Sequence, residues 1–180
     1  GCSWTGACEV KIKKEIKRRV IMEIGKAGLE LIKHFEGCRL TAYRCSAGKW
    51  TIGYGHTDGV KKGMTITKPQ AKLLLQNDLV VFSQMVSELT SGVELNQNQF
   101  DALVSFAFNC GVANLKKSTL IKRVLHDPSD ARISFEFSRW VYSNGRFLAG
   151  LARRRTAEST LYFSPVKEVE VEPETGGENE

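Results

Sequence analysis

No stretch of the 180-residue chain strings together the roughly 18 apolar residues that a membrane helix needs, and no apolar signal-peptide core stands at its N-terminus. An integral membrane protein is therefore excluded for these residues, although a start at Gly1 in place of Met is compatible with an upstream segment trimmed away. Metal-type spacing is missing too, with no Cys-x-x-Cys and no His-x-x-x-His. The five cysteines (Cys2, Cys8, Cys38, Cys45 and Cys110) are an odd set, too sparse for a disulfide scaffold. There is no zinc-finger spacing, no aromatic RNA-binding box and no basic zipper, so no nucleic-acid partner is expected. The chain has no internal repeat.

What is present suits one globular domain or two small lobes sharing a core: 42% apolar and 26% charged residues can bury an interior. The formal charge of +6 hides an asymmetry, because residues 165–180 carry six Glu and one Lys and leave +11 on the remainder. A basic body favours an anionic partner: nucleic acid, a lipid surface or an acidic polysaccharide. The acidic, non-periodic tail after Pro165 reads as disordered.

Apolar spacing then divides the chain. Ile12, Ile16, Val20 and Ile24 recur four apart among lysines and arginines, which predicts a basic amphipathic helix over residues 9–24. Leu29 to Phe35 suits a second helix, stopped by Gly37. Residues 38–63 change in texture: RLTAYR and KWTIGYGHT, separated by Ser-Ala-Gly, suit small antiparallel strands and turns. Thr67, Pro69 and Gln70 form a capping signal for a long helix to about Leu89. Asn96 to Cys110 is apolar around much of its circumference and belongs in the middle of a lobe. Further helices are predicted at about 118–126, 129–141 and 151–163, with Asn144-Gly145 as a boundary. The expected fold is α+β and mainly α.

Chemistry concentrates in Phe35–Thr57. Glu36 stands at a predicted helix end beside a Gly- and Tyr-rich strand region, where a partly desolvated carboxyl group can serve as a general acid. Taken alone it is an ordinary surface residue, and Thr51 alone is an ordinary strand residue.

The combination resembles the phage-type lysozymes of glycoside hydrolase family 24, the muramidase family of phage endolysins. Their signature is a Glu, eight residues, an Asp or sometimes a Cys, five residues, a Thr, then a Gly-x-Gly-His turn. Glu36, Cys45, Thr51 and Gly53-Tyr54-Gly55-His56 stand at those spacings. The blocks LNQNQFDALVSFAFNCG (95–111) and GLARRRTAE (150–158) follow in the expected order, so the likeness runs from about Gly25 to Ser164. It implies a lysozyme-like two-lobe fold: a small β-sheet lobe joined by a long helix to a helical lobe. The implied domains are an N-terminal extension (1–21), a catalytic domain (22–164) and the acidic tail (165–180).

By this resemblance Glu36 supplies a proton, Thr51 holds the attacking water, and Cys45 takes the place of the commoner Asp. A neutral thiol substitutes poorly for that Asp, whereas a thiolate could stabilise positive charge and orient water. His56 and Asp78 are expected to pair structurally between the β patch and the long helix. Arg154, or else Arg155, should position Glu36, and Asn109 should face the sugars. The implied activity is an inverting N-acetylmuramidase acting on bacterial peptidoglycan to lyse the cell, needing no metal or organic cofactor and acting as a monomer. Such an enzyme is made in the host cytoplasm and works on the wall in the periplasm. Residues 9–24 add an anionic-membrane partner as an expectation. Two alternatives are a lytic transglycosylase and a non-catalytic cell-wall- or membrane-active protein on the same scaffold. Six residues separate Cys38 from Cys45, and a turn could bring their Cα atoms within the roughly 4.4–6.8 Å of a disulfide, giving a redox latch on the site.

Overall fold

A computed structural model describes residues 21–45 and 48–166. Along the chain run α1 (Lys26–Glu36), β1 (Arg39–Arg44), β2 (Trp50–Gly53), α2 (Lys68–Leu89), α3 (Gln97–Cys110), α4 (Val112–Lys117), α5 (Thr119–His126), α6 (Ile133–Ser138), β3 (Tyr142–Ser143), β4 (Arg146–Phe147) and α7 (Ala149–Phe163). The molecule is mainly α, with a small sheet lobe at one end of a long helix and a helical lobe at the other.

The sheet lobe is the β1–β2 hairpin, antiparallel, with Tyr43 opposite Thr51 and Arg44 opposite Trp50. Backbone bonds between Ile52 and His56, at 2.9 and 3.0 Å, fold the Gly-Tyr-Gly-His turn back on β2. The next helix, α2, starts where its capping residues dictate. Thr67 Oγ1 accepts from the Gln70 N–H at 3.3 Å, and the Gln70 side chain accepts from the Thr67 N–H at 2.8 Å. Its Ala71, Leu75, Leu79 and Val86 are buried. The axis of the helical lobe is α3, every residue of which from Phe100 to Ala107 is buried. Such a helix must be surrounded, and α1, α2, α4 and α7 all pack against it. Phe106 sits in a cage of rings, edge-on to Phe137 at 5.9 Å and to Trp140 at 5.3 Å.

Four expectations need correction or restriction. The helix predicted over residues 9–24 lies mostly outside the described residues, and its last four, Ile21–Ile24, are not helical. Their backbone is tied elsewhere: the Met22 N–H donates to Ser87 Oγ at 3.0 Å, and the Gln97 amide donates to the Glu23 carbonyl at 2.9 Å. The helix predicted over 129–141 shrinks to α6, because side chains compete for the preceding backbone. Asp127 Oδ1 accepts from the Ser129 N–H, and Asp130 Oδ1 accepts from the Arg132 N–H, each at 2.9 Å. Asn144-Gly145 is the turn of the β3–β4 hairpin and no mere boundary; both residues have positive φ, 49° and 73°. The short α4 was not foreseen. The acidic tail beyond Val166 lies outside the described residues.

An ion cluster clamps α5 to α6. Arg123 Nε donates to Glu136 Oε1 at 2.8 Å, its NH1 lies 3.4 Å from Asp130 Oδ2, and Arg139 reaches Glu136 Oε2 at 3.2 Å. The Arg132 side chain and backbone N–H hold the Asp130 carboxyl down at about 2. Burial works to raise Glu136, yet its bonds from Arg123 and Arg139 hold it below the usual range. Acids depressed in this way stabilise the fold above their unfolded pKa of about 4, and that contribution is lost as pH falls through the folded values. Arg123→Met, which keeps the aliphatic stem, is therefore expected to lower Tm at about pH 6 and to converge with the parent near pH 2. A Tm difference that does not change with pH would refute the ionic origin.

Candidate active site

Glu36 closes α1, at the junction with the sheet lobe, and its side chain is 21% exposed. From the far end of the chain, Arg154 of α7 reaches it: NH1 donates to Glu36 Oε1 at 2.5 Å. The other oxygen faces the Gly-Tyr-Gly-His turn, since a Cβ added at Gly55 would lie 3.8 Å from Oε2. Two depressions meet at this carboxylate. One, of about 320 Å³, runs between the turn and α2, past His56, Asp58, Asp78, Phe82 and Phe108. The other, of about 630 Å³, runs past His34, Leu148, Gly150 and Arg153. Glu36 and Asn109 line both, so they form the waist of one long cleft.

His56 Nδ1 meets Asp78 at 3.0 and 2.9 Å from its two oxygens, joining the turn to α2 along one wall. Cys45 and Thr51 sit on the neighbouring hairpin. The Cys45 N–H donates to the Lys49 carbonyl at 2.9 Å, and Thr51, which is buried, donates its hydroxyl to the same carbonyl at 3.2 Å. Neither residue lines the two depressions that share Glu36. Cys38 is an exposed, free thiol, so the Cys38–Cys45 bridge is not made in this structure. Cys2 and Cys8 lie outside the described residues.

Arg155 differs from its neighbour. It is 1% exposed and turned away from the cleft. Its NH2 donates to Asn109 Oδ1 at 2.9 Å and its NH1 to Cys110 Sγ at 2.7 Å. Burial pushes the Cys110 thiol up, with Arg155 pulling the other way. Arg155 thus holds Asn109, whereas Arg154 holds Glu36.

Sequence reasoning missed the group on which both arginines converge. The fully buried Glu158 accepts from Arg154 Nε at 3.1 Å, from Arg155 NH2 at 3.1 Å and from the Ser105 hydroxyl at 2.7 Å. Burial drives its carboxyl up, opposed by the two guanidiniums and Ser105. The signal was there: Glu158 stands three and four residues after the two arginines, one turn along the same helix face. Asp101, a lone acid in an apolar helix, was missed as well. Among the described residues no three His, Cys, Asp or Glu side chains gather into a metal site, and no helix is long and apolar enough to cross a membrane.

A two-lobe fold with one carboxylate at the waist of its cleft is the architecture of lysozyme-like muramidases. The structure superposes on the muramidase domain of SpmX from Asticaccaulis excentricus with a TM-score of 0.74 and 39% identity, covering 79% of this chain and 99% of that one. The phage lysozyme family model matches residues 33–158. The endolysin of Acyrthosiphon pisum secondary endosymbiont phage 1 is 43% identical over 148 residues, 79% of this chain and 99% of that protein. The endolysin of Bacillus phage PZA is 40% identical over 146 residues; the match covers 79% of this chain and 56% of that longer relative. The chain belongs to the phage lysozyme family, and is a glycoside hydrolase of the endolysin kind.

Proposed function

We propose that the enzyme hydrolyses the β-1,4 bond between N-acetylmuramic acid and N-acetylglucosamine in peptidoglycan, with Glu36 as general acid. The observation that carries this reading is the position of Glu36: a half-buried carboxyl group at the waist of the cleft, one oxygen held by Arg154 and the other facing the turn. Protonated, it donates to the leaving glycosidic oxygen as the bond breaks. The carboxylate left behind is neutralised by Arg154 NH1, which strengthens its contact as that charge appears. Water then adds to the sugar from the opposite side and gives up its proton to solvent, and Glu36 is reprotonated from solvent before the next turnover.

By the family resemblance that water belongs to Thr51 and Cys45 on the hairpin; Thr51, whose hydroxyl proton goes to the Lys49 carbonyl, would hold it as an acceptor. An inverting reaction requires about 6.5–9.5 Å between the acid and the group opposite it, room enough for one water molecule. His56 and Asp78 keep the hairpin and α2 in register, a structural task. Asn109 takes a role in holding the sugars. The monomer is the working unit, and the periplasmic wall the place of action.

The products test this. Mass spectrometry of digested peptidoglycan should show muropeptides with a reducing muramic acid end; the anhydro product, lighter by one water, would establish a transglycosylase instead. Residues 9–24, outside the described region except for the last four, are assigned on sequence alone to anionic surfaces. Deleting residues 1–21 is expected to leave the products unchanged and to lower retention on anionic vesicles. Equal retention would refute that assignment.

A further inference from the structure

We infer that Glu158 is a positioning residue for the reaction, a fixed counter-ion that keeps Arg154 aimed at Glu36 throughout turnover and, through Arg155, keeps Asn109 aimed at the substrate. The inference rests on the reading of Glu36 as the acid. A general acid is neutral before it gives up its proton and anionic afterwards, so its pull on Arg154 changes within each cycle. A guanidinium stays charged under all these conditions, and a buried one whose partner becomes neutral is driven to find another. Arg154 does not need to move. Its Nε is held by Glu158 at 3.1 Å and its NH2 donates to the Ser105 carbonyl at 3.3 Å. With those two nitrogens fixed, the planar fork leaves NH1 directed at Glu36 in either protonation state.

The same carboxylate serves the other arm. Glu158 Oε2 lies 2.9 Å from Arg155 Nε, and Oε1 accepts from Arg155 NH2, which also donates to Asn109 Oδ1. Because a guanidinium only donates, the Asn109 oxygen must face it. The amide nitrogen is thereby left as a donor on the cleft side, suited to an acetamido carbonyl or a sugar hydroxyl.

Kinetics on a soluble glycan oligomer test this with Glu158→Gln, nearly the same shape without the charge. The expected result is a fall in kcat of about 100-fold, the scale of a misplaced catalytic group, with a several-fold rise in KM. In the Glu36→Gln background the kcat penalty should vanish, and in the Asn109→Ala background the rise in KM should vanish. Penalties of equal size in every background would show a merely structural residue and overturn the inference. A nearly active Glu36→Gln parent would instead overturn the reading of the acid, so the two failures are distinguishable. Where Glu158→Gln does not fold, Ser105→Ala removes one bond to the same carboxylate and is judged by the same background dependence.

Discussion

Glu36→Gln is expected to lower peptidoglycan solubilisation by about 10³-fold, within the range that general acid catalysis supplies, while Tm stays within a few degrees of the parent. Glutamine keeps the length and shape of the side chain, and its oxygen can still accept from Arg154 NH1, which lies 2.5 Å from Glu36 Oε1. What it loses is the acidic proton. Without it the leaving sugar must depart as an alkoxide, because Asn109, the other side chain lining both depressions, has no acidic proton to give. The fold survives because Arg154 retains Glu158 at 3.1 Å and is not left as an uncompensated buried charge. Turbidity clearing of purified cell walls, with thermal unfolding as the control, checks both halves. Activity within tenfold of the parent would end the case for Glu36.

The legible parts of this molecule are those written locally. The capping box of Thr67 and Gln70, the apolar circumference of α3 and the stop at Gly37 all lie within a few residues of the structure they determine. The contact between His56 and Asp78 spans only 22 positions and was suggested by the spacing of known relatives. The missed features are of two kinds. Asp101 acts across 73 residues to Gly28, so that only the packed lobe shows what its charge compensates. Glu158, though one turn from its two arginines, is revealed as buried only by its bond to Ser105, 53 residues away. The β3–β4 hairpin is too short for alternation to reveal: two strands of two residues, specified only by an Asn-Gly turn whose positive φ angles match the twist of a hairpin. Partial legibility at the site has the same cause. The family spacing points to Glu36, Cys45 and Thr51, but the contact that fixes the Glu36 carboxylate comes from Arg154, 118 positions along the chain.

Asp101→Asn is expected to destabilise the protein by about 3 kcal/mol, lowering Tm by roughly 6–12 °C, without any contact between the mutated residue and Glu36. Asp101 is fully buried in α3 and faces the first turn of α1. Its Oδ1 accepts from the Gly25 N–H at 2.8 Å and its Oδ2 from the Gly28 N–H at 2.9 Å, while the Gln97 amide donates to Oδ1 at 2.8 Å. These amides are among the four that a helix start leaves without partners, and a negative charge there also meets the positive end of the helix dipole. Asparagine offers one oxygen and one NH2, so a donor is forced against a donor at a side chain that is fully buried. The approach is close because there is no Cβ in the way: one added at Gly28 would lie 2.7 Å from Asp101 Cβ, and one at Gly25 would lie 2.8 Å from Oδ2. Gly28→Ala should therefore cost about 2–3 kcal/mol by overpacking, whatever alanine gains in helix propensity. Chemical denaturation of the two variants reads both costs. The two substitutions break a single contact, so in the double variant their costs should fall short of additive. Full additivity, or a Tm loss below about 2 °C for either one, would show that α1 is held by its apolar face alone. Glu36, at the opposite end of α1, thus depends for its place on a fully buried carboxylate that holds the start of its helix.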